Sequence, residues 1–521
     1  MNPSPILLEV FKNAFSSIAE EMGATLQRTA FSPNIKERRD FSCAIFDKNG
    51  ELVAQAAHIP VHLGSMPESV KQAIKEFEFE EGDMVVLNDP FAGGTHLPDI
   101  TLVAPVFYKG ELVFFVANRA HHADVGGMQA GSMPLSTSIF QEGFIIPPTK
   151  IMKRGELNEE FLRVFLRNVR TPDERIGDFK AQITANLTGI RRLKELIEKE
   201  GFERVNFYAS ELMNYAERLI RERIKKLPEG SYEFEDYMED DGFGNEDLKI
   251  HLRLTVKGEK LVFDFSQSAP QTKGGINAVR AVTLSAVYYS VIALLGGEDI
   301  PVNGGCYRPV EVITKKGTLV DAEFPAGVAA GNVETSQRIV DVILGAFAKI
   351  LPEKTPAASQ GTMNNVAIGG IDPRTNTPFV YYETLGGGMG ASALGDGESA
   401  IHSHMTNTLN TPIEALEHYY PLRITQYRIR RNSGGRGLHR GGDGLIREYE
   451  FLCDGEVSVL SERRRLAPYG LFGGEPGKPG RNILITEDGE REMPSKFYAF
   501  VKKGDRLRIE TPGGGGYMRE E

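Results

Sequence analysis

Three closely spaced apolar runs constrain the fold more than any other feature of the chain. They are MVVLN (84–88), ITLVAPVFY (100–108) and ELVFFVAN (111–118), with Lys109-Gly110 as a turn between the last two. Their apolarity is continuous rather than alternating, which is typical of strands that are covered on both faces. The sequence therefore predicts a buried sheet in the N-terminal part of the chain.

Apolar residues at helical spacing predict helices around this sheet, at 4–28, 157–168, 173–200 and 204–226. After about residue 420, short apolar runs are separated by glycine-rich turns, which indicates β structure. The predicted fold class is mixed α/β (α+β) and multi-domain, with a buried sheet and helices N-terminally and a β-rich C-terminal part. We expect a metal-binding α/β domain, a central α/β domain and a β-rich C-terminal region at 1–228, 229–420 and 421–521.

Glycine is unusually abundant, with 56 glycines among 521 residues, many of them in clusters such as Gly386 to Gly388 and Gly513 to Gly516. Such clusters predict tight turns and places where the backbone approaches a neighbour closely. None of them forms the GxxxxGK[ST] phosphate loop or a complete GxGxxG motif. The sequence therefore predicts no nucleotide-binding site in this chain.

The charge balance and the cysteines limit the expected partners and compartment. The 60 basic and 71 acidic side chains give a net charge of −11, which argues against nucleic acid and anionic membranes as partners. The three cysteines are far apart, which disfavours a disulfide scaffold and fits a reducing cytoplasm. The sequence shows neither a signal-peptide pattern nor an apolar run that could span a bilayer, so we expect a cytoplasmic protein.

Imidazoles and carboxylates concentrate in two segments that border the apolar runs, LNDPFAGGTHLPDI and NRAHHADVGG. These segments contain Asp89, His96, Asp99, His121, His122 and Asp124. Pro98 disfavours a helix before it, and the preceding glycine pair permits a bend, so His96 and Asp99 can converge on one ion. His121 and His122 are neighbours that face opposite ways on a strand, so at most one of them reaches that ion. The residue types predict a divalent metal site.

Weaker candidates lie elsewhere. Asp40 follows two arginines and fits a solvated charge cluster as well as a site. Four histidines and one glutamate are candidates for a substrate pocket: His58, His62, Glu334, His402 and His404. Pro60 argues against a helix that would align the first histidine pair, which we interpret as pocket lining or structural. Glu334 is expected to be exposed near the start of a helix that Thr335 or Ser336 caps.

Together the motifs resemble the hydantoinase B family. NDPFAGGTHLPDI, AHHADVGG, NSGGRGLHRGGDG and the terminal TPGGGG occur in the same order over essentially the whole chain. That family includes the second half of 5-oxoprolinases and the α subunits of acetone carboxylase and caprolactamase. By motif, the resemblance implies that His96, Asp99, His121 and Asp40 bind the metal. It places Asp89, His122 and Asp124 behind these ligands or on the substrate side, as catalytic candidates.

The resemblance also implies an activity. The chain would be the metal-binding subunit of an ATP-dependent hydantoinase or 5-oxoprolinase-type amidohydrolase. A separate hydantoinase A-type partner would bind ATP and phosphorylate a cyclic amide, such as a hydantoin, 5-oxoproline or a lactam. The activated ring would then open at or near one divalent ion, Mn, Zn or Fe. Two alternatives stay open: the α subunit of an ATP-dependent acetone or ketone carboxylase, and a non-catalytic scaffold subunit.

Overall fold

The three apolar runs form the middle of a seven-stranded sheet. The computed structural model describes residues 3–56 and 58–520. The strands of this sheet are β1 (Phe41–Asp47), β2 (Leu52–Gln55), β3 (Met84–Leu87), β4 (Asp99–Tyr108), β5 (Glu111–His121), β6 (Thr149–Lys153) and β7 (Glu156–Leu157). They are arranged in the order β2-β1-β5-β4-β3-β6-β7, and each neighbouring pair is antiparallel. The predicted buried sheet is confirmed.

Helices cover both faces of this sheet. The helices of the chain are α1 (Pro5–Thr29), α2 (Pro33–Lys36), α3 (Met66–Glu76), α4 (Glu159–Arg167), α5 (Pro172–Glu200), α6 (Phe202–Ile224), α7 (Arg280–Leu295), α8 (Ser336–Phe347) and α9 (Ile413–Tyr419). On one face, Asn118 of β5 donates a hydrogen bond to the Gln182 carbonyl of α5 (2.8 Å). On the other face, the next residue of β5, Arg119, donates to Ser65 and Ser69 at α3. Cover on both faces explains the continuous apolarity of the runs.

Single helical turns connect several of these elements. Among the described residues, four are 3-10 turns, at Pro60–His62, Pro90–Ala92, Ile139–Gln141 and Gly304–Tyr307. The fifth is a π-helical turn, Gly331–Thr335, which continues directly into α8. Within residues 3–56 and 58–520, no helix combines the length and apolarity needed to cross a bilayer.

Within the described part of the chain, thirteen further strands build three more sheets. They are β8 (Gly230–Asp240), β9 (Glu246–Lys257), β10 (Lys260–Asp264), β11 (Val310–Ile313), β12 (Asn365–Asp372), β13 (Thr377–Glu383), β14 (Leu422–Arg430), β15 (Gly444–Phe451), β16 (Gly455–Leu460), β17 (Arg481–Thr486), β18 (Gly489–Met493), β19 (Lys496–Val501) and β20 (Arg506–Glu510). The sheets have the orders β11-β10-β9-β8, β13-β12-β16-β19 and β14-β15-β20-β17-β18. The mixed α/β class with a strand-rich C-terminal part is confirmed.

The proposed division into three domains stays a prediction. Strands β12 and β13 precede residue 420, yet they share one sheet with β16 and β19, which follow it. One apolar core includes Phe11 near the N-terminus and Phe347 of α8, and a second includes Val366 of β12 and Ile509 of β20. The central part of the chain therefore contributes to both cores.

The C-terminal glycine clusters pack backbone against backbone, which is the close approach that the sequence predicted beside tight turns. Gly435 donates a backbone hydrogen bond to Gly514 (2.9 Å), and Leu471 donates one to Gly516 (3.0 Å). A Cβ atom on Gly514 would lie 2.1 Å from the carbonyl oxygen of Met389. Glycine is required there because the neighbouring backbones leave no room for a side chain.

Candidate metal centre

The adjoining ends of β4 and β5 bring the two motif segments together. Asp99 is the first residue of β4, His121 is the last residue of β5, and the two are directly opposite in the strand register. Opposite residues of an antiparallel pair point to the same face of the sheet. His96 reaches this face from the loop before β4, in which Gly93 has a left-handed backbone (φ 91°).

The Asp99 carboxylate lies at the centre of a cluster of three imidazoles, those of His62, His96 and His121. His96 Nε2 and His62 Nε2 lie 3.2 Å and 3.5 Å from Asp99 Oδ2, and His121 Nδ1 lies 3.5 Å from Oδ1. One ligand atom from each of His96, Asp99 and His121 falls within 4.8 Å of the others. None of these four side chains is more than 3% exposed. The cluster is therefore shielded from bulk solvent.

The tautomer of His96 indicates that the cluster needs a cation. Its Nδ1 lies 3.2 Å from the Ala329 carbonyl oxygen, which only accepts hydrogen bonds. A neutral His96 ring must therefore carry its proton on Nδ1 and present a lone pair at Nε2. That lone pair faces a carboxylate oxygen, and Nε2 has no hydrogen-bond donor among the described residues. Two buried acceptors at this distance are stabilised by a shared cation, so the residues fit a metal ion.

The electrostatics of the cluster also suit metal binding. Burial lowers the pKa of His121, which keeps this imidazole neutral and able to donate a lone pair. Burial opposes ionisation of Asp99 as well, but favourable interactions with the neighbouring His96, His121 and His62 imidazoles outweigh it. The pKa of Asp99 consequently lies well below its usual range, and the group is a carboxylate.

Asp40 borders the cluster at the start of β1. Its Oδ2 lies 3.9 Å from His121 Nδ1 and 3.6 Å from Nη1 of Arg38. Arg38 is fully buried and also donates to Thr384 (2.7 Å). Arg38 and Asp40 are thus buried beside the candidate site, whereas Arg39 is exposed, and Asp40 can join the ligand set only by a small shift of its side chain. Its role stays a prediction.

Tyr382 is a part of the site that sequence reasoning missed. Its ring stacks on His121 with 4.4 Å between centroids and 7° between planes. The Arg38 guanidinium lies 5.4 Å from the centre of the same ring, and the hydroxyl donates to Asn365 Oδ1 (2.7 Å). These contacts fix the orientation of His121 from the β13 side. No local motif marks Tyr382, because the stack exists only after β13 packs on the first sheet.

Three further candidates lie outside the cluster. His122 points through the sheet to α5, where its Nε2 lies 2.8 Å from Gln182 Oε1. The buried Asp124 carboxylate accepts hydrogen bonds from the backbone of Gly126 (3.0 Å) and the side chain of Arg170 (3.0 Å). Asp89 accepts from the backbone N–H of Phe91 (2.9 Å) and so caps a 3-10 turn. Each has a structural partner, and their catalytic roles stay untested.

The four histidines predicted for a pocket have separate surroundings, and one of them, His62, belongs to the cluster. His58 accepts from the backbone N–H of Cys43 (3.1 Å) and packs on Phe41. His402 and His404 lie in irregular chain. His402 lies 3.4 Å from Asn410, and His404 lies 3.1 Å from the Tyr289 hydroxyl.

Glu334 is fully buried, so the expectation that it is exposed was wrong. It lies in the π-helical turn and accepts from the Met363 backbone (2.8 Å) and from Asn365 Nδ2 (2.7 Å). Burial raises its pKa to about 8. The expected cap is absent, because Ser336 donates instead to the Asn332 carbonyl (2.7 Å). Asn332 of the same turn lies 3.4 Å from Asp99, so the turn adjoins the cluster.

Glu142 is a second residue that the sequence did not reveal. The fully buried carboxylate accepts from the backbone N–H groups of Val328 (2.8 Å) and Ala329 (3.1 Å), and burial raises its pKa to about 7. Glu142 thereby holds the segment whose Ala329 carbonyl faces His96. A single acidic residue that directly follows a 3-10 turn carries no sequence signal for such a role.

Comparisons with known proteins extend over the whole chain. The profile of the hydantoinase B/oxoprolinase family matches residues 4–520. 5-Oxoprolinase 1 of Arabidopsis thaliana is 43% identical over 544 residues, covering 98% of this chain and 42% of that protein. The chain thus spans about two fifths of the length of this relative.

Two solved structures share the fold. An ATP-dependent caprolactamase from Pseudomonas jessenii superimposes with a TM-score of 0.94 at 30% identity, covering 100% of this chain and 92% of the matched chain. A nucleotide-free acetone carboxylase superimposes with a TM-score of 0.90 at 19% identity, covering 99% of this chain and 76% of the matched chain. At that identity, the second likeness shows the fold alone.

Proposed function

Because the chain belongs to the hydantoinase B/oxoprolinase family, we propose that it is the metal-binding subunit of an ATP-dependent enzyme that opens cyclic amides. The substrate class is a hydantoin, 5-oxoproline or a lactam. The main support for metal binding is the distance of 3.2 Å between two buried acceptor atoms, His96 Nε2 and Asp99 Oδ2. The identity with a 5-oxoprolinase and the close likeness to a caprolactamase support the substrate class.

His96, Asp99 and His121 would hold one divalent ion, with Asp40 as the fourth ligand. Two neutral imidazoles and two carboxylates suit Mn, Zn or Fe and balance the charge of a divalent cation. When bound, such an ion polarises a substrate oxygen or lowers the pKa of a water molecule. Arg38 offsets the charge of Asp40 at 3.6 Å, and Tyr382 keeps the His121 ring in one orientation.

The phosphorylating step belongs, in this proposal, to a hydantoinase A-type partner that binds ATP. The present sequence contains no phosphate loop. An amide oxygen must be activated before ring opening, because the unactivated amide is a poor electrophile. The matched caprolactamase chain, which is of similar length, comes from an enzyme described as ATP-dependent. These facts support a division of labour between two subunits.

The test is a coupled assay of the chain with a hydantoinase A-type partner. We expect ADP and the ring-opened product to form in equal amounts from hydantoin, 5-oxoproline or ε-caprolactam, only with both subunits and metal. The His96→Ala variant should lose this activity, and His418→Gln, at an exposed position in the last turn of α9, is the control. Bicarbonate-dependent consumption of acetone, without turnover of any cyclic amide, would refute the proposal in favour of a carboxylase.

A further inference from the structure

His62 approaches the cluster from a segment that carries none of the metal-site motifs. It ends the 3-10 turn Pro60–His62, which the Val61 backbone anchors by donating to the Met405 carbonyl (3.1 Å). Its Nε2 lies 3.5 Å from Asp99 Oδ2, the same oxygen that His96 Nε2 approaches. The side chain is 2% exposed. Either His62 is a metal ligand, or it donates a hydrogen bond to the Asp99 carboxylate.

The hydrogen bonds of Ser42 decide between these roles. Ser42 Oγ accepts from the backbone N–H of Ile59 (3.1 Å) and lies 2.7 Å from His62 Nδ1. Among the described residues, His62 Nδ1 is the one acceptor within reach of the Ser42 proton. A serine hydroxyl that already accepts one bond is best satisfied when it donates its own proton. Ser42 therefore donates to Nδ1, and the neutral His62 ring carries its proton on Nε2.

The two imidazoles thus meet Asp99 Oδ2 with opposite roles. His96 presents a lone pair, because its Nδ1 proton is directed at the Ala329 carbonyl. His62 presents an N–H group, because Ser42 occupies its Nδ1. A donor facing a carboxylate orients and stabilises it, whereas a protonated nitrogen cannot bind a metal.

We infer that Ser42 and His62 form a hydrogen-bond relay that positions the Asp99 carboxylate, and that His62 is a positioning residue rather than a metal ligand. The inference rests on the proposed metal centre. It explains why His62 lies beside the cluster although the group of mutually close ligand atoms contains only His96, Asp99 and His121 among the described residues.

Titration of the metal-free chain with Mn²⁺ or Zn²⁺ by calorimetry tests the relay. We expect His62→Ala to weaken metal affinity by about 10–100-fold, the usual effect of losing a partner of a metal ligand. His62→Gln should restore most of the affinity, because its amide N–H can still donate to Asp99. Ser42→Ala should weaken affinity while leaving all imidazoles in place. His58→Gln is the matched control, since His58 lies four residues away and bonds to the Cys43 backbone.

X-ray absorption of the Zn²⁺-loaded variants provides a second readout. We expect the number of nitrogen ligands to be equal in the wild type and in His62→Ala. Loss of one nitrogen ligand in His62→Ala, with no rescue by His62→Gln, overturns the inference. Unchanged affinity in both His62→Ala and Ser42→Ala overturns it as well. Failure of the wild type to bind either ion refutes the metal centre itself, and the relay with it.

Discussion

At the scale of single residues, one backbone carbonyl decides which nitrogen of His96 faces the centre. The Ala329 oxygen takes the Nδ1 proton, so Nε2 becomes the donor atom toward a metal ion. Asp99, three residues after His96 in the same motif, supplies the opposing carboxylate. The chemistry of this pair therefore depends on a residue that is far away in the chain.

Replacing His96 by alanine should abolish metal binding. The change removes one of the three mutually close ligands, and Asp99 and His121, even with the more distant Asp40, then bind a divalent ion weakly. Metal content after dialysis, measured by inductively coupled plasma spectrometry, should fall to background while the circular dichroism spectrum is retained. His122→Gln should keep its metal. Equal metal content in the wild type and His96→Ala would contradict the ligand assignment.

Glu334 should make the stability of the metal-free protein depend on pH. Burial raises its folded-state pKa to about 8, so ionisation is more costly in the folded than in the unfolded chain. This destabilisation of the folded state is absent at pH values below the usual carboxyl pKa, and it grows as the pH rises toward 8. Glu334→Gln should therefore gain stability relative to the wild type between pH 5 and 8, on the order of 2–4 kcal/mol.

Urea denaturation of the metal-free wild type and of Glu334→Gln at both pH values measures this difference. Glu233→Gln is the control, because that side chain is about half exposed on β8 and pairs with Arg253. A stability difference between wild type and Glu334→Gln that does not change with pH would show that Glu334 ionises normally.

At the scale of secondary-structure elements, the sequence predicted most strands of the first sheet and most of the helices that cover it. The run at 173–200 became α5 at Pro172–Glu200, because its apolar spacing, its leading proline and Gly201 at its end all act locally. The glycine clusters were harder to interpret. A glycine serves a turn and a close backbone contact equally well, and only neighbouring segments distinguish the two uses.

Gly514→Ala should destabilise the protein strongly, because the new Cβ would lie 2.1 Å from the Met389 carbonyl oxygen. We expect a loss of more than about 3 kcal/mol in the free energy of unfolding. Gly110→Ala is the matched control, with a positive φ of 82° but open space around the new Cβ, and should lose only about 1–2 kcal/mol. Similar losses in thermal or urea unfolding of the two variants would contradict the close packing.

At the scale of the whole molecule, a buried ionic cluster joins the central and C-terminal parts of the chain. Glu462 accepts from Arg338 of α8 (3.0 Å) and Lys496 of β19 (2.8 Å), and none of the three side chains is more than 1% exposed. Such a pair of cations needs its carboxylate, because a buried charge without a partner is costly. The cluster thus ties α8, which follows the π-helical turn, to the third sheet.

Glu462→Gln should therefore lower the free energy of unfolding by about 3–5 kcal/mol. It removes the nearest carboxylate from Arg338 and Lys496 and leaves only longer contacts, to Asp236 (3.9 Å) and Asp240 (3.7 Å). The matched control is Glu492→Gln, which removes the carboxylate from an exposed pair with Arg481 (3.0 Å) and should change stability by less than about 1 kcal/mol. Urea unfolding of both variants gives the comparison. Equal effects would mean that the buried cluster is not a stabilising link.

The sequence by itself determined the local structure and the two motif segments at residues 87–100 and 118–127. Apolar periodicity and glycine or proline signals act over a few residues, so they can be recognised without a fold. Only the tertiary structure decided that His62 lies at Asp99, that Tyr382 stacks on His121, and that Glu334 is buried. Those relations are set when distant elements pack and remove polar groups from water, which no local pattern records.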